Sequence, residues 1–456
     1  MPQITKFASK EGRREFWRRY RSEYFRLARL GAPVMLTQVG VILVSFADTM
    51  MVGAYGVDEL AAAAFVNSVF LVPMVMLMGL ANGITPLVGA LFGSGDRKGP
   101  GRVARAGLQV NLIAGAIFSL ILASLYFFLD RFGQPAELLP LIREFYLILL
   151  LTVIPMAVFN TFQQTANGMT DTLSPMYMIL LSVGVNIFGN WLLIFGNWGF
   201  PELGLNGAGI ATVIARLAGM TGMLIIFFRR KRFSESRQGF AAARDLGATR
   251  RKVWATSYPV MIQSGVECCL WSLGAVACGW FGKIQLAAFQ IVNTVGQLGF
   301  MIYMSFGVAV SIRVANFCGT RDGEGASIAA RAGVHLNLIL ATISSAVLIA
   351  GGAGLLGLFT PDAAVVAAGM GFMLPLVIYQ YFDALQLTFC NAIRGTSRVR
   401  PLLWISTVSY VAVGIPVMLL FSKGLGWEGV GVYYSFDVAL LVAAVMAYAV
   451  FRRTKV

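Results

Sequence analysis

The sequence predicts an all-α membrane protein: twelve transmembrane helices in two six-helix bundles related by a pseudo-two-fold axis along the membrane normal. Three observations predict it. Of the 456 residues, 57% are hydrophobic and only 12% charged. Apolar runs of about 20 residues, each long enough to cross a hydrocarbon core of about 30 Å as a helix, recur along the whole length. The basic residues cluster in a way that marks one side of a bilayer, and the two halves of the chain repeat one another in register.

The first element is an arm, residues 1–29, polar and basic, with Lys6, Lys10, Arg13, Arg14, Arg18, Arg19, Arg21, Arg26 and Arg29. Nothing in it reads as a cleavable leader, which needs an apolar stretch and a small-residue cleavage site. Spans 1 to 6 lie near residues 30–52, 60–91, 102–128, 139–165, 174–197 and 207–228, and form an N-lobe, 30–228. A linker, 229–254, carries Arg229, Arg230, Lys231, Arg232, Arg237, Arg244, Arg250, Arg251 and Lys252. Spans 7 to 12 lie near 255–281, 285–317, 328–357, 368–393, 399–421 and 429–450, form a C-lobe, 255–451, and lead to a tail, 452–456. The loops after spans 1, 5 and 9 hold no Lys or Arg. By the positive-inside rule both termini and the linker are cytoplasmic, as an even number of spans requires. The net charge of +15 is thus a topology signal, and nucleic acid is not an expected partner.

The two halves match at an offset of 226 residues: "PVM" at 33 and 259, "LAA" at 60 and 286, "ARAG" at 104 and 330, "NLI" at 111 and 337. After a one-residue slip Gly168 meets Gly395, and "GAG" at 207 faces "GVG" at 429. Six spans return the chain to its starting side, so the repeats are parallel. Transporters are often built this way, with ion and substrate sites near mid-depth. The intramembrane carboxylates are not part of the shared plan: Asp48 corresponds to Gly274, Glu267 to Val41 and Asp383 to Met156.

A charge near the centre of a membrane helix costs roughly 2.5 to 3.5 kcal/mol on insertion scales, so each such carboxylate asks for a function. At 1.5 Å per residue, Asp48 lies about 28 Å along span 1 from Arg29, and Thr212 about 26 Å above Arg229 on span 6. Asn186 and Asn190, four apart on span 5, share a helix face. A carboxylate, two amides and a hydroxyl supply oxygen ligands for a small hard cation, or hydrogen bonds to a protonated acid. The same amides also suit plain hydrogen bonding between helices. Glu267 lies about 22 Å beyond Lys252, and Asp383 about 16 Å short of Arg394, which brings the two within about 6 Å in depth and within reach of one cavity. Arg313, near the cytoplasmic end of span 8, is placed to snorkel. Arg216 is placed to pair with a carboxylate or to face water, and Asp437 on span 12 has no obvious partner. Gln38, Gln163, Gln164 and Gln290 are candidates for a polar path.

Enzymatic chemistry finds little support. His335 is the single histidine, the five cysteines lie within or at the ends of apolar spans, and no GxxxxGK[ST], GxSxG or HExxH motif is present. No cofactor is expected.

"FADTMMVG" in span 1, "NIFGNWLLIFG" with "PELGLNGAGIAT" across spans 5 and 6, "GVECCLW" in span 7, and "YQYFDALQ" with "IRGTSRVRP" together resemble the multidrug and toxin extrusion (MATE) family, bacterial NorM branch, over all twelve spans. "RVANFCG" at 313 resembles that family's span 8 ending, whereas span 2 ends "PLVGALFG", without the arginine often seen there. The resemblance implies an N-lobe cation or proton site of Asp48, Asn186, Asn190 and Thr212, and a C-lobe cation site of Glu267 and Asp383. It makes Asp48, Glu267 and Asp383 the metal-ion ligands. It also places Tyr379 and Gln290 near the C-lobe site and makes Phe300, which lacks a hydroxyl, the candidate for a span 8 aromatic that holds substrate or cation in some relatives; with Gln38 and Gln163 of the polar path these are the expected substrate contacts. The expected function is secondary active efflux of lipophilic organic cations in exchange for Na+ or H+ by alternating access, in the inner (plasma) membrane, by a monomer. The alternative is a flippase or exporter of lipid-linked or other amphiphiles from the same superfamily, whose cavity would be rich in basic rather than acidic groups.

Overall fold

A computed structural model describes residues 10–243 and 246–454. Lys6 and the rest of residues 1–9, Arg244 with its neighbour at 245, and residues 455–456 of the tail lie outside the described residues. Eleven described helices are long and apolar enough to cross a membrane, and a bent pair makes the twelfth. In order they are α1 (Lys10–Tyr55), α2 (Val57–Gly93), α3 (Gly99–Tyr126), α4 (Leu139–Gly168), α5 (Leu173–Ile194), α6 (Gly204–Arg229), α7 (Gly247–Gly279), α8 (Lys283–Gly319), α9 (Gly323–Gly357), α10 (Ala363–Gly371 with Met373–Gly395, bent by 47°), α11 (Arg400–Gly424) and α12 (Glu428–Arg453). Each falls on one of the spans predicted above. This is a multi-pass helical membrane protein.

The chain forms two compact units, an N-terminal one of Leu36–Gly265 and a C-terminal one of Val266–Val456 joined by the chain up to Met35. Both dividing lines fall inside helices, in α1 and α7. The repeat read from the sequence returns as identical local structure within each unit. Asn111 Nδ2 donates to Thr161 Oγ1 at 2.8 Å, and Asn337 Nδ2 donates to Thr388 Oγ1 at 2.8 Å. Asp96, just before α3, accepts from the Gly99 amide at 2.7 Å, and Asp322, the N-cap of α9, accepts from the Gly325 amide at 2.8 Å. A Cβ on Gly168 would come within 2.7 Å of the Val88 side chain, and one on Gly395 within 2.7 Å of Val314. Close helix contact in a bilayer relies on such small residues, because lipid tails remove the hydrophobic reason for helices to associate.

The arm is helical from Lys10 and continuous with the first span, so α1 has 46 residues and runs about 69 Å at 1.5 Å per residue. What holds its polar end is visible in the C-terminal unit. Tyr20 and Leu27 pack with Ala309, Val310, Ala326 and Ile328, and the Tyr20 hydroxyl hydrogen-bonds His335 Nδ1 at 2.8 Å. Arg313 does not snorkel outward. It makes a bidentate pair with Glu23 (Nε to Oε2 and Nη2 to Oε1, both 2.8 Å), with side chains 13% and 5% exposed. The geometry is the strong fork form of the ion pair. Removing one partner of a buried pair strands the other charge, so Glu23→Gln should destabilise the protein by about 3 kcal/mol. A clear fall in the detergent-solubilised Tm is the expected reading, partly restored by exchanging the two charges; an unchanged Tm would show the pair to be idle.

In the N-terminal unit the linker folds back as a helix, Ser234–Ala242, against α3. A Cβ on Gly101 would collide with the Ser236 carbonyl, so backbone meets backbone there. Arg105 Nη1 donates to the Phe240 carbonyl at 3.0 Å, and Ser236 Oγ to that of Arg97 at 2.9 Å.

Candidate ion sites

Within the N-terminal unit, α5 presents Asn186 and Asn190 one turn apart, both buried. The approach of α6 follows from small residues, since a Cβ on Gly189 would lie 2.9 Å from that of Ala211. One hydrogen-bonded chain results. Asn190 Nδ2 donates to Asp48 Oδ1 and lies 3.5 Å from Asn186 Oδ1; Asn186 Nδ2 donates to Thr212 Oγ1 at 3.3 Å; Thr212 donates to the Ala208 carbonyl at 2.9 Å. The structure thus brings together all four residues that the sequence grouped. Asn190 Oδ1 is buried and accepts no hydrogen bond. A free amide oxygen beside a carboxylate is the kind of oxygen donor a hard cation takes. Arg216, one turn beyond Thr212, donates to Met156 Sδ at 2.9 Å and acts on Asp48 electrostatically without reaching it as an ion pair.

Within the C-terminal unit, Glu267 on α7 and Asp383 on α10 are electrostatic neighbours, with Asp383 only 1% exposed. Tyr379 stands beside Asp383, yet neither carboxylate oxygen of Asp383 accepts a hydrogen bond of normal geometry. Tyr379 is held edge-on by Trp271, ring centroids 5.4 Å apart. Two members of this cluster escaped the sequence reading. Arg394, used there as a marker of the cytoplasmic boundary, is buried and acts on Glu267, and its Nη1 lies 3.4 Å from Asn391 Oδ1. Tyr410 also faces Glu267, and its hydroxyl accepts from Gln386 Nε2 at 3.1 Å. Helical spacing contained a signal for Arg394: eleven residues after Asp383 is about three turns, hence the same face of α10. Tyr410 sits on a stretch of π-helix, Thr407–Gly414, whose wider turns break the 3.6-residue period used to assign faces.

The other candidates are dispersed. Gln290 is exposed on α8, its carbonyl accepting from Thr294 at 2.8 Å. Phe300 packs with Tyr303, Ala341, Ala384 and Leu387. Gln38 and Gln163 are half-buried in the N-terminal unit. Gln164 is committed to helix packing, its Oε1 accepting from Thr85 at 2.8 Å. Among the described residues no three His, Cys, Asp or Glu side chains gather to hold a metal ion. A cation at either site would complete its shell with amide, hydroxyl or carbonyl oxygens.

The sequence model of the MatE family matches this chain twice, at residues 33–192 and 259–420, once in each half. A probable multidrug resistance protein NorM of Bradyrhizobium diazoefficiens is 30% identical over 94% of this chain and 93% of its own length. The multidrug resistance protein NorM of Vibrio cholerae is 27% identical over 94% and 95%. Among solved structures, the eukaryotic MATE transporter AtDTX14 superposes with a TM-score of 0.82 over 96% of this chain and 97% of that one, at 20% identity. The two matches begin 226 residues apart, the offset at which the halves repeat. This chain belongs to the MATE family, whose members are transporters and not enzymes.

Proposed function

We propose that the protein is an inner-membrane antiporter that admits Na+ or H+ and expels a lipophilic organic cation by alternating access, acting as a monomer. The observation that carries this reading is the chain Thr212–Asn186–Asn190–Asp48 with its free amide oxygen, an assembly of oxygen donors around one carboxylate inside an apolar bundle. A carboxylate away from water is satisfied by a proton, a metal cation or a cationic drug, but not by all at once. That exclusion couples the two fluxes. A membrane potential supplies about 2.3 kcal/mol per charge per 100 mV, which is roughly a 50-fold concentration ratio. The relatives named for multidrug resistance favour drug-like cargo, and Tyr379, Gln290, Phe300, Gln38 and Gln163 remain the proposed substrate contacts. The test is uptake of a fluorescent lipophilic cation into inverted vesicles with Na+ and pH gradients imposed separately. Uptake driven by neither gradient would reject the antiport reading.

Both termini and the linker are proposed to be cytoplasmic. Ser236 is only 1% exposed and would report poorly, whereas Gln238 on the same helix is exposed and Val57, after α1, is 80% exposed. An impermeant thiol reagent outside intact cells should label Val57→Cys and spare Gln238→Cys. The opposite pattern would invert the topology.

A further inference from the structure

We infer that Asp437 is a third cation-binding carboxylate of the C-terminal unit, taking up a proton or Na+ alongside Tyr433. The inference rests on the antiport reading for its purpose, but its observations are separate. Asp437 lies on α12, 3% exposed, and neither of its carboxylate oxygens accepts a hydrogen bond. Among the described residues it forms no ion pair. A bare buried carboxylate is among the least favourable groups a membrane protein can hold.

Among the described residues, the side chains that pack around this part of α12 are apolar or aromatic. From α7 come Leu270, Trp271 and Gly274, with Cys278 further along; from α8, Phe289 and Gly296; from α10, Phe372, Leu376 and Tyr379; from α11, Tyr410 and Gly414. The acid linked to this region through Tyr433 is Asp383, itself an electrostatic neighbour of Glu267. The cation of this region, Arg394, interacts with Glu267, Cys390 and Tyr410. Its neighbours Phe436, Ala439 and Leu440 pack in the hydrophobic core.

Tyr433 supplies the link to the known carboxylates. One turn before Asp437 and therefore on the same face, it interacts electrostatically with both Asp437 and Asp383, and its ring lies 6.0 Å from that of Tyr379. Glu267, Asp383, Tyr433 and Asp437 thus form a connected series. In the repeat, at the offset that aligns "GAG" with "GVG", Asp437 corresponds to Ala215. It departs from the shared scaffold as Asp48, Glu267 and Asp383 do. The ligand class follows from the donors: one carboxylate and one phenol in a closed site suit a small monovalent cation, not a divalent ion, which needs six or more oxygens, nor a drug, which needs an open concave pocket. Uptake of a proton converts the carboxylate to the acid; Na+ binds to it intact.

The experiment uses the full chain in liposomes and reads the protonated-carboxyl infrared band and equilibrium binding of radiolabelled sodium, at several pH values, with and without Na+. Asp437→Asn is expected to remove one carboxyl from the band or one sodium from the binding count, while a Glu267→Gln, Asp383→Asn double variant retains that contribution. Loss from the band alone identifies a proton; loss of a bound sodium identifies Na+. A folded Asp437→Asn protein with the unaltered band and sodium count overturns the inference. Should that variant not fold, Asp437→Glu must keep the signal, and a folded Asp437→Glu protein without it is equally decisive against. These readouts need no transport, so failure of gradient-driven efflux in the unaltered protein would reject the antiport reading and leave this test standing.

Discussion

Asp48→Asn is expected to abolish gradient-driven efflux while the protein still inserts and folds. The structure explains why insertion should survive: the substituted amide keeps an oxygen that can accept from Asn190 Nδ2, so the chain through Asn186 to Thr212 persists. What disappears is the charge. Removing one member of a desolvated charge pair costs about 2 to 5 kcal/mol, which is roughly 30-fold or more in affinity for the cation. The Arg216 guanidinium, which acts on Asp48 electrostatically, would then face the site without a carboxylate to offset it and add repulsion. The measurement is efflux of a fluorescent lipophilic cation from cells expressing matched amounts of each protein. Full resistance in well-expressed mutant cells would remove Asp48 from the mechanism.

Glu267 and Asp383 are expected to act as one unit. Glu267 acts electrostatically on Asp383, and two bare carboxylates in one cluster repel, so the proposed C-terminal site is expected to hold one proton or one cation between them. Either Glu267→Gln or Asp383→Asn should then lower cation-dependent efflux by about tenfold to a hundredfold, and the double change should cost little more than the worse single one, because groups that act together are non-additive. Losses that multiply as independent factors would assign the two carboxylates to separate sites. Arg394 offers a control within the same cluster: it adds the opposite sign, so its replacement should shift the cation dependence rather than remove it.

The sequence carried the twelve spans and the duplication in full, because a bilayer enforces length and apolarity on every span and a repeat preserves its packing residues. The grouping of the N-terminal candidates was legible for a related reason. Asp48, Asn186, Asn190 and Thr212 lie on regular α-helix, where depth follows from counting and faces from spacing. Of the C-terminal cluster only the carboxylates were legible. Tyr410 was hidden by π-helical turns, and Arg394 by the assumption that an arginine marks the membrane surface, whereas this one is buried among Asn391, Glu267 and Tyr410. The pairing of Arg313 with Glu23 was out of reach, because it joins residues 290 apart in sequence. It depends on α1 continuing as helix through the arm, a stretch the apolar-span reading left outside the bundle.

The matched clasps Asn111–Thr161 and Asn337–Thr388 bear on how such a protein changes over generations. They hold each unit together by the same bond at the same length, and none of the four residues is among the proposed ion ligands. Substitutions there would be purged as folding defects, while Asp48, Glu267 and Asp383 sit at positions the other half fills with glycine, valine or methionine. Architecture and buried charge are therefore separate layers of this chain: a substitution at Asp48, Glu267 or Asp383 leaves the clasp of its unit in place.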